Sequence, residues 1–299
     1  MQFQRDFVAA HTDMDARRPK GTQRLVRAIL AAGVLLAPVL VASLPSGASS
    51  HPPVAAIPHT VFPLGVVNPR EPSGMAPPNA SALPGFALSY VQDFSAKALP
   101  NEWGRFNGAP SGDPGSMFVP SHVLTGGGVV REVTSRDRVN GGNWATGGMC
   151  LCGNGGQLYG AFFVRSRVTG PGPNVSELLW PVANVWPPEV DFNEMGYVTN
   201  STSWTVHYGS GSSFFQRTHS WNMLRWHTWG LIWTPRLLTF TMDGKAWGTL
   251  SNYSMIPHQP MTLDIQQQTW CITHRKNVDA CPQHNVALQV DWVATYRMR

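Results

Sequence analysis

The sequence predicts an all-β sandwich or barrel, and three observations carry that expectation. Gly (29) and Pro (25) are frequent, and aromatic residues make up 10% of the chain, a composition that suits short strands and many turns. Beyond residue 85, runs of about four to eight apolar, aromatic or β-branched residues recur between Gly, Pro, Asn and Asp clusters. Asp243-Gly244 stands between strand-like runs, where a type I′ turn needs positive φ at both central residues. Nothing reads as a long helix.

Residues 1–48 have the parts of a secretory signal: a positively charged stretch ending at Arg27, an apolar run from Ile29 to Val41, and small residues around Ser46-Gly47-Ala48. Pro38 interrupts that run, which is shorter than the roughly 20 residues that span a bilayer. Cleavage and a secreted product are therefore expected, with no stable membrane insertion afterwards. The leader also holds most of the basicity. Removing its six basic and three acidic residues takes the formal net charge from +5 to +2, which argues against a nucleic-acid partner.

Residues 49–85 are rich in Pro, Ala, Ser and Gly, with Pro52-Pro53 and Pro77-Pro78, and show no sustained apolar period. They read as an extended, poorly ordered linker. Residues 86–299 form the expected single folded domain. Within it, Trp229–Trp233, a turn at Thr234-Pro235-Arg236 and Leu237–Met242 make the clearest hairpin. Alternation puts Leu238, Phe240 and Met242 on one face and Thr239 and Thr241 on the other, as in a half-buried strand. Tyr159–Val168 and Val286–Tyr296 read the same way.

Glu189, Asp191 and Glu194 crowd into a segment, Pro188–Met195, that has strand character through Val190 and Phe192. On a regular strand Glu189, Asp191 and Asn193 share a face and Glu194 points away. One bulge near Phe192-Asn193 returns Glu194 to the face of the other two. Crowded carboxyls raise at least one pKa, and a protonated acid beside an ionised one is what cleavage of a glycosidic bond requires. The spacing alone is equally compatible with a calcium site or with solvated acids on an edge strand. Trp180, Trp186, Trp204, Trp270 and Tyr208 supply rings of the kind that stack on sugars, although core packing accounts for such residues as readily.

The segment Glu189-Val190-Asp191-Phe192-Asn193-Glu194 resembles the Glu-x-Asp-x-x-Glu signature of glycoside hydrolase family 16. Gln92-Asp93-Phe94, Tyr159–Arg165, Trp226–Pro235 and Val290–Tyr296 are similar to further family segments, in the family's order. The resemblance implies a concanavalin A-like jelly-roll β-sandwich with a concave substrate cleft. It also implies a retaining double-displacement mechanism with Glu189 as nucleophile, Glu194 as general acid/base and Asp191 orienting the nucleophile. Trp180, Trp186, His207 and Trp270 match substrate-binding positions, and Asp291 resembles an aspartate that helps hold a structural calcium; no cofactor is required. The sequence departs from the family at Pro188, where Gly is usual, at Leu178-Leu179-Trp180, and at Gln267-Gln268-Thr269-Trp270. These departures bear on the sugar subsites and spare the acids.

The expectation is a secreted, monomeric endo-β-glucanase acting on β-1,3-glucan or mixed β-1,3-1,4-glucan. A transglycosylase using the same acids and a non-catalytic, lectin-like β-glucan-binding module are the alternatives. Cys150, Cys152, Cys271 and Cys281 allow two disulfides in an oxidising compartment, with Cys271–Cys281 the preferred pair. That pairing competes with a zinc reading of the Cys271-x-x-His274 and Cys281-x-x-His284 spacings.

Overall fold

The structure is a computed structural model and describes residues 61–109, 117–210, 213–269, 271 and 281–299. The leader and the first part of the expected linker lie outside the described residues, as does Trp270. In chain order the strands begin with β1 (Val66–Val67), β2 (Met75–Ala76), β3 (Phe86–Gln92), β4 (Gly104–Arg105) and β5 (Met117–Phe118). There follow β6 (Val123–Gly126), β7 (Val129–Arg136), β8 (Trp144–Thr146), β9 (Gly148–Cys150) and β10 (Gly160–Val168). The middle of the chain supplies β11 (Asn174–Pro181), β12 (Glu189–Met195), β13 (Thr202–His207) and β14 (Phe214–His219). The remainder is β15 (His227–Thr234), β16 (Leu237–Met242), β17 (Lys245–Leu250), β18 (Met261–Gln268) and β19 (Val286–Met298).

Two large sheets hold nearly all of these strands. The seven-stranded sheet runs β14-β13-β12-β11-β18-β9-β4. The ten-stranded sheet runs β17-β16-β15-β10-β19-β7-β8-β5, with β3 on β19 and β6 on β7. Val175, Leu179, Val190, Phe192, Leu263 and Ile265 from the first sheet meet Phe162, Val164, Trp229, Leu231, Phe240 and Val290 from the second in one buried core. Inward residues alternate with outward ones along the strands except where a bulge shifts the register. This is the jelly-roll β-sandwich that the sequence led us to expect.

The hairpin falls where its turn residues predict. Strands β15 and β16 pair antiparallel, and Asp243 and Gly244 take φ of 48° and 77° before β17. Leu238, Phe240 and Met242 enter the core as the alternation requires. Thr239 and Thr241, however, are buried too, so the strand is covered on both sides.

The residues that make the cover correct the linker expectation. From Val61 onward the Pro-rich segment packs on the outer face of the ten-stranded sheet. Leu83 joins Ala161, Phe163, Ile232, Trp292 and Tyr296 in a second apolar cluster, with Phe62 packed against it. Backbone atoms of the segment find partners on the sheet: Trp292 Nε1 donates to Met75 O at 2.9 Å, Tyr296 OH to Asn79 O at 3.0 Å, and Thr228 Oγ1 to Leu64 O at 2.8 Å. Apart from the short β1–β2 pair, the segment is held by such bonds to the sheet rather than by a ladder of its own. That is why it carries no sequence period.

Candidate active site

Strand β12 is central in the seven-stranded sheet, between β11 and β13. Its apolar residues Val190, Phe192 and Met195 point into the core. Leu179 pairs with Val190, Leu178 with Asp191, and Glu177 with Asn193, so Phe192 is the extra residue on the β11 side. Against β13, Asp191 pairs with Thr205 and Glu194 with Ser203, so Phe192 and Asn193 together oppose Trp204. That two-against-one arrangement is a β-bulge. It lies at Phe192-Asn193, sends both of those residues inward, and leaves Glu189, Asp191 and Glu194 on the outer face.

Neighbouring elements hold each acid differently. The Trp186 indole Nε1 donates to Glu189 Oε2 at 2.8 Å. Thr205 Oγ1 donates to Glu194 Oε2, and Gln216 Nε2 donates to the same oxygen at 3.1 Å. Asp191 lies between them with His207 Nε2 3.7 Å from its Oδ2, and the His207 ring packs beside Trp186 at 5.5 Å between centroids. Burial raises the pKa of all three carboxyls, and their mutual repulsion raises those of Glu189 and Asp191 further. The hydrogen bonds to Glu189 and Glu194 work in the opposite direction, favouring charge. The cluster therefore retains at least one proton near neutral pH and titrates as a unit. Burial pushes His207 down to about 4, so its imidazole is neutral there.

The ring residues separate by environment. Trp186 and His207 are partly exposed beside the acids. Trp204 belongs to the core and stacks on Phe240 at 4.3 Å between centroids. Trp180 stands on the outer face but is fully buried, its Nε1 donating to Asn184 Oδ1 at 2.9 Å, and so presents no surface for a sugar to stack on.

Thr205, Gln216 and Asp264 escaped the sequence reading. Thr205 follows from His207 by alternation along β13. Gln216 depends on the β13–β14 register, which no local pattern reveals. Asp264 pairs with Leu178 across β11 and β18; it is fully buried, and neither carboxylate oxygen has a hydrogen-bond partner. Burial, with Glu189 nearby, raises its pKa well above the usual range. The apolar-polar alternation of Met261-Thr262-Leu263-Asp264-Ile265-Gln266 was the signal for it.

One family model, glycosyl hydrolases family 16, matches residues 138–293, a span that contains β12 and both of its neighbours. The chain belongs to this family. It is therefore a glycoside hydrolase, and membership implies a polysaccharide substrate. Solved structures agree on the fold. An endo-β-1,3-glucanase from Pyrococcus furiosus matches with a TM-score of 0.61 at 17% identity, over 72% of this chain and 95% of that one. The laminarinase from Rhodothermus marinus matches at 0.59 and 22% identity, over 73% and 99%. The catalytic domain of an endo-1,3-β-glucanase (laminarinase) from Thermotoga petrophila matches at 0.59 and 16%, over 72% and 98%. A comparison with curated protein sequences finds no match.

In this family 16 enzyme the four cysteines pair as Cys150–Cys152 and Cys271–Cys281, which removes the thiolates that a zinc site would need. No helix among the described residues is long and apolar enough to cross a membrane. A pocket of about 270 Å³ opens where Pro187 and Pro188 lead into Glu189, with Tyr208, Ser254 and His258 on its walls. Glu189, Asp191 and His207 bring one ligand atom each within 4.8 Å of one another, but calcium takes six to eight oxygens and this trio includes an imidazole. Asp291 stands apart from this trio, on β19 of the other sheet, and its Oδ1 is buried without a hydrogen-bond partner among the described residues. The Arg165 guanidinium already lies near that carboxylate, and it holds the Ser73 hydroxyl and carbonyl while Ser73 N donates to Asp291.

Proposed function

We propose that this chain is a secreted, retaining endo-β-glucanase that hydrolyses β-1,3-glucan, or mixed β-1,3-1,4-glucan, by double displacement. The observation that carries the reading is the bulged strand with its three outward carboxyls, two of them served by different hydrogen-bond donors. Glu189 is the nucleophile, and the Trp186 N–H favours its ionised form. Glu194 is the general acid/base: it protonates the leaving oxygen as Glu189 attacks the anomeric carbon, then takes a proton from the water that releases the glycosyl-enzyme. Asp191, between them, keeps its proton through burial and the charge of its neighbours, and orients Glu189.

The β-1,3 assignment is supported by the Glu-x-Asp-x-x-Glu spacing of the acids, which resembles that of laminarinase-like family members, and it agrees with the names of the similar structures. Export is supported by the two disulfides and by the composition of residues 1–48. The test is a panel of β-1,3, mixed-linkage, β-1,4 and galactan polymers assayed for new reducing ends. The expected result is activity on β-1,3-glucan with short oligosaccharides as products. Longer oligosaccharides would indicate a transglycosylase, and binding without cleavage would indicate a lectin-like module.

A further inference from the structure

The bulge in β12 does two things at once. It turns Glu194 outward, and it turns Asn193 inward, so that an amide stands among core residues. A buried amide needs partners, and polar groups flank Asn193 on both sides. Thr202 Oγ1 donates to Asn193 Oδ1 at 2.7 Å. Across β11, its register partner is Glu177, which is fully buried on the inner face; the neighbouring Asn193 amide favours the charged form of that carboxyl, whose Oε2 has no hydrogen-bond partner among the described residues. Glu177 in turn accepts a hydrogen bond at Oε1 from the Ser166 hydroxyl on β10, in the opposite sheet. Thr202, Asn193, Glu177 and Ser166 thus line up as one buried polar row through the sandwich, inboard of the reacting face.

We propose that Glu177 is a positioning residue: it holds Asn193 from the interior of the sandwich and so maintains the bulge that turns Glu194 toward Glu189. The inference rests on the reading of those two glutamates as the reacting pair. Without the bulge, alternation would swing Asn193 outward and drive Glu194 into the apolar core. Glu177 would then lose its polar neighbour in a place where water cannot replace it. An apolar residue at 177 would remove that penalty and let the strand regularise.

The test compares wild type, Glu177→Leu and Glu177→Gln in the full chain by crystal structure, by kcat and KM on a soluble β-1,3-gluco-oligosaccharide, and by thermal unfolding. In Glu177→Leu we expect the Glu194 carboxyl to shift by about 1 Å or more, with kcat falling about 10- to 100-fold and KM changing less than about threefold. Glu177→Gln keeps an acceptor for Ser166 and a polar neighbour for Asn193, and is expected to bring kcat back to within about threefold of wild type. Should the Leu variant not fold, Ser166→Ala removes only the far hydroxyl and is expected to shift Glu177 and Glu194 in the same sense. A Glu194 that stays in place in the folded variant overturns the proposal, as does a Gln variant no better than Leu. Wild-type inactivity on every polymer would overturn the glucanase reading instead, while the crystal structures would still decide the positioning.

Discussion

The indole N–H of Trp186 donates to Glu189 Oε2 at 2.8 Å, and it is the one side-chain hydrogen bond that the structure gives Glu189 among the described residues. That bond favours the charged form of Glu189, against the burial that raises its pKa to about 8. Hydrogen bonds to charged groups contribute about 1.5–3 kcal/mol. Trp186→Phe keeps most of the ring and removes the donor. Glu189 should then hold its proton to higher pH, so the acidic limb of the kcat/KM profile moves upward and the rate at its optimum falls about 10-fold or more. A pH–rate profile that stays in place would contradict the role given to Trp186.

Glu194 offers the mirror-image case. Thr205 Oγ1 and Gln216 Nε2 both donate to its Oε2 and favour its ionised form. Removing one donor raises its pKa and extends the protonated, acid-competent range. In Thr205→Val the basic limb of the kcat profile is expected to move to higher pH, opposite in origin to the Trp186 effect. Titration of both limbs in the two variants checks the assignment of the two glutamates.

Stability should fall as pH rises from about 5 to about 8. Glu132, Glu177, Asp191 and Asp264 are buried carboxyls whose folded-state pKa values are raised, Glu177 to about 8. Asp291 is raised to about 6. A group with a raised folded-state pKa holds a proton that the unfolded chain has released, so its stabilisation is full below the unfolded value and is lost on the way up. His207, pushed down to about 4, has the opposite sign between about pH 4 and 6.5, but it is one group against several. Thermal unfolding across this range measures the slope, and Glu132→Gln should make it shallower.

The segment from Val61 to Gly85 should behave as part of the domain. Removing it would expose Phe163, Ile232, Trp292 and Tyr296 on the outer face of the larger sheet, with burial of each large side chain contributing about 1.5–3 kcal/mol. A chain starting at Phe86 is expected to unfold at least about 10 °C below one starting at Val61, with greater aggregation. Equal melting temperatures would show that the segment only rests on the sheet.

The acid run in β12, the hairpin at Asp243-Gly244 and the strands around Phe162 and Val290 were legible because each depends on a local rule: period-two alternation, or positive φ at a turn. The bulge too was legible, since only an extra residue reconciles inward Val190 and Phe192 with an outward Glu194. Other features depend on pairing between distant segments. Gln216 reaches Glu194 only through the β13–β14 register, and Trp204 and Trp180 differ from Trp186 only in what covers them. The Pro-rich stretch after Val61 has no apolar period, because its partners are donors on the sheet beneath it. The sequence by itself determined the all-β class and the three acids on one strand, since these follow from residue order at short range. Only the tertiary structure decided which rings are core, where the N-terminal segment lies, and that Glu177 and Ser166 stand behind the bulge. Burial and side-chain partnership are properties of segments brought together from far apart in the chain, and no local period encodes them.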